Sequence, residues 1–208
     1  MAQGILQIAI FCGLVVAVVP LLGGYMARVF RSEPTFLDPV VGPAERLTYR
    51  LLRVDATYAQ DWKAYARSLI VFSLLGFLLL FAILRTQTLH PFYTGGFHSG
   101  TWDVSFNTAA SFVTNTNWQY YGGETTMTYF SQMAGLAVQN FISAAAGLAV
   151  AVALIRSLAA RRTDDDGPRA IGNFWQDLTR ATLYVLLPIS VIAAVVLVSQ
   201  GTVQTLGG

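Results

Sequence analysis

Charge is what this sequence has least of. Of its 208 residues only 12% are Asp, Glu, Lys or Arg, against about 25% in an average soluble domain. The 13 basic and 11 acidic residues leave a formal +2, too little phosphate neutralisation for a DNA-binding domain, and no nucleic-acid partner is expected. Lysine occurs once, as Lys63 after Asp61-Trp62. No Gly-x-x-x-x-Gly-Lys-[ST] phosphate cradle exists, and no nucleotide is expected on this chain. The one cysteine, Cys12, cannot close an internal disulfide, and its apolar setting reads as a small core position. The two histidines, His90 before Pro91 and His98 two residues before Gly100, read as solvated loop residues, not zinc ligands. Ser99 next to His98 has no acid partner that could complete a triad. Disorder is excluded by the opposite excess, 54% apolar residues.

That apolar content is concentrated in four runs, at about residues 5–22, 68–84, 133–155 and 181–198. Each approaches the roughly 20 residues that a helix needs to cross a bilayer. The first has no Lys or Arg before Arg28, so it lacks the basic start of a signal peptide and reads as a retained helix. All the basic residues except Arg85 fall on two connections: Arg28, Arg31, Arg46, Arg50, Arg53, Lys63 and Arg67 on one, and Arg156, Arg161, Arg162, Arg169 and Arg180 on the other. The positive-inside rule puts both connections in the cytoplasm and the N-terminus outside. Both read as solvated loops, since Ser32-Glu33-Pro34, Asp38-Pro39 and Thr163-Asp164-Asp165-Asp166-Gly167-Pro168 interrupt helices. Trp62 precedes Arg67 as Trp175 precedes Arg180, an echo of interfacial Trp and snorkelling Arg that suggests a repeat restarting near residue 175. Gly147 and Ala151, with residues 144–146, form a small-residue face suited to close helix packing.

The external stretch between the second and third runs is not a plain loop. Asp103 or Thr101 can cap a helix on which Phe106, Ala109, Ala110 and Val113 share a face. At about ten residues it is too short to span a membrane. The polar run Thr114-Asn115-Thr116-Asn117-Trp118-Gln119 follows. A half-helix dipping inward would aim its partly negative C-terminus at a cation. An extended strand behind it could replace the ion's hydration shell with carbonyls. The alternative from these residues alone is a surface helix with a polar loop, on a membrane scaffold or assembly subunit with no ion path.

The run Asn107-Thr108-Ala109-x-Ser111-Phe112-Val113-Thr114-Asn115-Thr116-Asn117-Trp118-Gln119 resembles the first pore loop of the potassium-binding subunits of the Kdp potassium-importing ATPases. Gly123-Glu124-Thr125-Thr126, Tyr129-Phe130-Ser131-Gln132-Met133-Ala134-Gly135-Leu136 and Val138-Gln139-Asn140-Phe141 are similar to the same family's next stretch. The resemblance implies a potassium-channel-superfamily-like, all-α integral membrane chain. Residues 1–27 would be an N-terminal transmembrane helix, 28–67 and 156–180 cytoplasmic connections, 68–155 one helix–pore-loop–helix repeat, and 181–208 the opening helix of a second, truncated repeat. It also implies a non-catalytic, multi-pass subunit of the bacterial inner membrane, embedded in lipid. Thr114, Asn115, Thr116, Asn117, Trp118 and Gln119 would bind potassium, the only metal expected. Asp103, Asn107 and Ser111 would support the pore helix, with Gln139 and Asn140 behind. No Asp-Lys-Thr-Gly phosphorylation motif occurs, so the implied partners are the catalytic subunit of a P-type ATPase and its small accessory subunit.

Overall fold

A computed structural model of the chain describes residues 2–92, 96–119, 121–159 and 170–202. The chain forms two units, Met1–Leu52 and Arg53–Gly208. Among the described residues four helices are long and apolar enough to cross a membrane: Gln3–Phe30, Trp62–Arg85, Ser131–Ala159 and Phe174–Ser199. They coincide with the four apolar runs, each extended at its ends. The acidic triplet at 164–166 and Arg161, Arg162 and Arg169 lie outside the described residues.

In the first unit, α1 (Ala2–Phe30) carries Pro20 internally, and Cys12 on it is exposed, not a core residue. An apolar side chain on a membrane helix can face lipid at no cost, so apolar neighbours do not imply a protein core. The following connection also departs from expectation. Instead of a loop it holds α2 (Asp38–Leu52), with Pro39 in the first turn. The Asp38 carboxylate accepts from the Thr35 backbone N–H at 2.7 Å and the Thr35 hydroxyl at 3.1 Å. Pro lacks an N–H that the first turn would leave unpaired anyway, so Asp-Pro starts this helix instead of blocking one.

Among its described residues the second unit is all-helical in character, as expected, with two short strands added. β1 (Gln60–Asp61) pairs antiparallel with β2 (Ala170–Gly172). Each strand leads into a capped helix. Asp61 accepts from the Ala64 N–H at 2.8 Å and opens α3 (Trp62–Arg85). The half-helix α4 (Trp102–Val113) and the single turn α5 (Gly123–Thr126) follow. A π-helical stretch, Ser131–Ala137, runs into α6 (Val138–Ala159). Asn173 accepts from the N–H groups of Trp175 and Gln176 and opens α7 (Phe174–Arg180), which continues through a second π-helical stretch, Ala181–Leu186, into α8 (Leu187–Ser199).

Two apolar clusters hold these elements. Leu80, Leu84, Ala109, Phe112, Met127 and Leu136 pack α3 and α4 against the start of the third span. Tyr65, Ala146, Ala149, Ala153 and Phe174 pack the other end. The small residues that bring α6 close are therefore Ala145, Ala149 and Ala153, spaced by one turn and buried, whereas Gly147 and Ala151 are exposed. The Trp echo is unequal too. Trp62 is exposed, while Trp175 packs edge-on against Phe72 and Phe174.

Candidate functional site

The half-helix α4 buries an unexpected face. Ser105, Thr108, Ala109, Ser111 and Phe112 are buried, while Phe106 is half exposed. Sequence periodicity chose Phe106, Ala109, Ala110 and Val113. The buried face keeps Ala109 and adds Phe112 with three hydroxyl side chains, while Phe106 packs edge-on against Phe77 of α3 at 5.1 Å. At its start Thr101 holds the cap position without a side-chain cap bond. Its hydroxyl beside Asp103 instead holds that carboxyl below the usual carboxylate range. Arg85 Nη1 donates to the Gly100 carbonyl at 2.5 Å, tying this turn to the end of α3.

Its C-terminus ends in a Schellman turn. The Asn115 N–H donates to the Phe112 carbonyl at 3.2 Å and the Thr116 N–H to that of Ser111 at 2.9 Å. Asn115 sits at φ 57°, the left-handed position at which Asn is among the few tolerated side chains. Asn117 repeats the conformation at φ 55°, and its N–H also donates to the Ser111 carbonyl, at 3.2 Å. The Trp118 N–H then donates to Ser111 Oγ at 2.6 Å. Four consecutive N–H groups, those of residues 115–118, thus turn back onto the helix end. No cis peptide occurs among the described residues, and in a trans peptide C=O and N–H point in opposite directions. The carbonyls of Thr114, Asn115, Thr116 and Asn117 consequently face away from the helix terminus.

The segment is not the extended strand expected, since Asn115 and Asn117 are left-handed and its N–H groups fold back on α4; side chains tie it to α6. Asn117 Nδ2 donates to Asn140 Oδ1 at 2.9 Å and to Asn115 Oδ1 at 3.4 Å. Ser143 Oγ donates to Asn115 Oδ1 at 3.4 Å and to the Asn140 carbonyl at 3.1 Å. Gln119 Nε2 donates to the Tyr121 hydroxyl at 3.0 Å. A cavity of about 350 Å³ opens here, lined by Phe112, Asn117, Gln119, Gln132, Leu136, Ala137 and Asn140. Its polar lining is neutral carboxamide, with oxygens that could face a cation and no carboxylate.

Of the residues singled out from sequence, the structure joins residues 114–118, Ser111 and Asn140 in one network. Asn107 is exposed on α4. Gln139 turns away from residues 114–119 and lies against Gly76 of α3. His90 stacks on Phe130, with ring centroids 4.6 Å apart, and bonds the Thr86 hydroxyl. Among the described residues no cluster of His, Cys, Asp and Glu could hold a metal ion.

Sequence reasoning missed Ser143 and, more importantly, Gln87, which is buried. Its Nε2 donates to the His98 and Thr126 carbonyls, and its Oε1 accepts from the Thr128 N–H and the Ser131 hydroxyl. One amide thereby joins the end of α3 to the chain on both sides of the half-helix. A lone Gln in a loop carries no sequence signal. The Thr-Asn-Thr-Asn alternation does carry one, because Asn at every second position is a sign of left-handed backbone.

The family described as the potassium-transporting ATPase A subunit matches residues 9–208. Proteins named potassium-transporting ATPase potassium-binding subunit are similar over nearly the whole chain. That of Rhodospirillum centenum is 55% identical over 203 residues, covering 98% of this chain and 35% of its own length. That of Methylorubrum extorquens is 54% identical over 204 residues, with the same coverage, 98% and 35%. That of Geobacter metallireducens is 52% identical over 199 residues, covering 96% and 33%. The chain therefore spans about a third of the length of these relatives.

Proposed function

This chain belongs to the potassium-transporting ATPase A-subunit family, and from that premise we propose that residues 114–119 form one arm of its potassium filter. The observation that carries the reading is the backbone of residues 114–117. Its N–H groups are consumed by the end of α4 and its carbonyls face the other way. Such a row can substitute for part of a potassium ion's water shell. The C-terminal end of α4 adds a partial negative charge behind it. Irregular backbone of this kind is tolerated at membrane depth when it lines a watery cavity. Potassium is cargo here, taken from outside and passed to a P-type ATPase subunit that hydrolyses the nucleotide, with a small accessory subunit completing the complex in the bacterial inner membrane. In this reading residues 68–155 are one helix–pore-loop–helix repeat and residue 181 onward opens the next.

Hydrogen exchange in the assembled complex separates this reading from that of a scaffold. Potassium should slow exchange of the amides of residues 115–118 relative to equal sodium, because an ion held by the carbonyls stiffens the same peptide groups. Equal exchange in the two salts overturns the filter assignment. The proposed orientation has its own check. An impermeant thiol reagent applied to intact cells, with Cys12 replaced, should label a cysteine at position 95 and spare one at position 46.

A further inference from the structure

The connection that follows α1 carries an apolar stripe that its own packing leaves uncovered. On α2, Val40, Ala44, Leu47 and Leu51 recur at i, i+4, i+7 and i+11, one face of a helix. Val40 is 77% exposed, Leu47 53% and Leu51 72%. The buried residues of α2, Gly42 and Glu45, lie on the opposite side. Packing within the unit therefore accounts for one face of this helix and leaves the apolar one bare.

Charge on α2 is sorted as well. Both of its carboxylates are engaged away from the stripe. Asp38 accepts from Thr35 at the helix start, and the buried Glu45 accepts from the Tyr49 hydroxyl at 2.8 Å. Arg46 and Arg50, one turn apart, are exposed along one flank of the stripe. Among the described residues no ion pair engages either of them. An apolar stripe bordered by free guanidinium groups is the pattern of a helix that lies in a membrane surface.

Depth supports the same occupant. The first span is Gln3–Phe30. At about 1.5 Å per residue, Tyr25 is roughly 33 Å from Gln3, at the edge of a hydrocarbon core about 30 Å thick. The Phe36 ring lies 5.4 Å from that of Tyr25, and Thr35 is bonded to Asp38. The first turn of α2 is thus held where hydrocarbon gives way to headgroups, and α2 does not double back alongside α1. Laid in that boundary, the helix buries its stripe among acyl chains and holds its arginines at phosphate depth, where a guanidinium can bind a phosphate through two N–H groups.

We propose that α2 is a membrane-surface helix whose Arg46 and Arg50 bind the phosphates of anionic phospholipids, with Val40, Leu47 and Leu51 seated among the acyl chains. The proposal rests on α1 being a membrane span and is independent of the filter reading, since it uses no residue of the Arg53–Gly208 unit.

The test uses a full-length chain carrying this segment, in its assembled complex, in nanodiscs of equal parts phosphatidylglycerol and phosphatidylcholine. Photoreactive benzoylphenylalanine replaces Leu47, and mass spectrometry identifies what it captures. Each arginine close to an anionic surface favours it by about fivefold. Phospholipid adducts are expected, with phosphatidylglycerol captured at least fivefold more than phosphatidylcholine. Arg46→Gln combined with Arg50→Gln should bring that ratio to within twofold of unity while the total lipid adduct persists, because the stripe still seats the helix. Arg46→Lys with Arg50→Lys, which keeps both charges, should retain the preference. Absence of lipid adducts, including capture of protein alone, overturns the proposal. Equal capture of the two lipids by the chain with both arginines, or a preference that survives in the glutamine variant, overturns it too.

Discussion

The two ends of the Arg53–Gly208 unit solve the same packing problem with opposite chemistry. At one end residues 114–119 are tied to α4 and α6 through backbone, carboxamide and hydroxyl groups. At the other, three elements meet on an ion pair whose carboxylate is buried and whose Arg156 side chain is 30% exposed. Arg156 Nη1 and Nη2 donate to Asp177 Oδ2 and Oδ1 at 2.6 and 2.9 Å, with the Asp177 side chain 1% exposed. The Tyr65 hydroxyl donates to the Ala149 carbonyl at 2.7 Å and lies 3.2 Å from Asp177 Oδ2. Gln60 Oε1 accepts from the Phe174 N–H, and Asn173 Nδ2 donates to the Asp55 and Tyr58 carbonyls. The fit is close enough that Gly172, at φ +123°, leaves no room for a Cβ beside the Arg156 guanidinium. If residues 114–119 line a cation path, as proposed, neutral dipoles there can bind the ion without a fixed charge. The second end is clamped instead by a full charge pair.

The comparison predicts unequal costs of breaking each end. The largest belongs to the clamp. Asp177→Ala leaves the Arg156 guanidinium without its partner and should destabilise the folded chain by about 3–5 kcal/mol, whereas replacing both residues with apolar ones of similar volume should recover most of the loss. Thermal unfolding of the purified protein in detergent measures both. A loss below about 1 kcal/mol for Asp177→Ala would place the pair among surface bridges and remove the contrast.

An effect of similar size but confined to one region is expected at Gln87, the hub of the neutral end. Gln87→Leu keeps the volume but leaves the Thr128 N–H and the two carbonyls without their amide. Each buried group stranded in this way costs about 1–3 kcal/mol. The loss should be local, seen as faster hydrogen exchange across residues 126–131 while α6 and α7 keep their protection. Uniform acceleration along the chain would mean that the two ends unfold as one.

How much of this was legible in the sequence follows the range of the forces involved. The four spans and the half-helix were readable because apolar runs and helical periodicity are local. The segment at 114–119 stood out through its polar run and its resemblance to a pore loop. Three things were not readable. Pro39 has one meaning inside a helix and the opposite one in its first turn, and only the Thr35–Asp38 bonds distinguish them. The buried face of α4 is set by elements distant in sequence, which cover Ser105 and Thr108 and leave Phe106 half exposed against Phe77 of α3. Gln87 and the Arg156–Asp177 pair bind residues distant in sequence, and no local pattern announces such contacts.

The smallest predicted energies, and the sharpest test of the neutral end, concern Asn117 in a full-length chain assembled with its ATPase partner. A unit charge about 7 Å from a potassium ion contributes roughly 2.4 kcal/mol at an effective dielectric of 20 and about 0.6 at 80. Those limits span about 3-fold to 60-fold in apparent affinity. The left-handed backbone at Asn117 adds a second term, because an ordinary side chain there costs about 1–2 kcal/mol whatever its charge. Asn117→Gly removes that strain while losing the bond to Asn140, and so sets the baseline. Asn117→Lys should raise the potassium concentration for half-maximal ATP hydrolysis above that baseline by a factor in the stated range. Asn117→Asp should fall at or below it, since Asp tolerates the left-handed region and the Asn140 amide can flip to donate to the new carboxylate. With protein abundance matched, an exposed charge far from any ion would be screened within about 8 Å at physiological salt and would show no sign dependence. Equal effects of Lys and Asp relative to Gly would therefore place the cation path elsewhere.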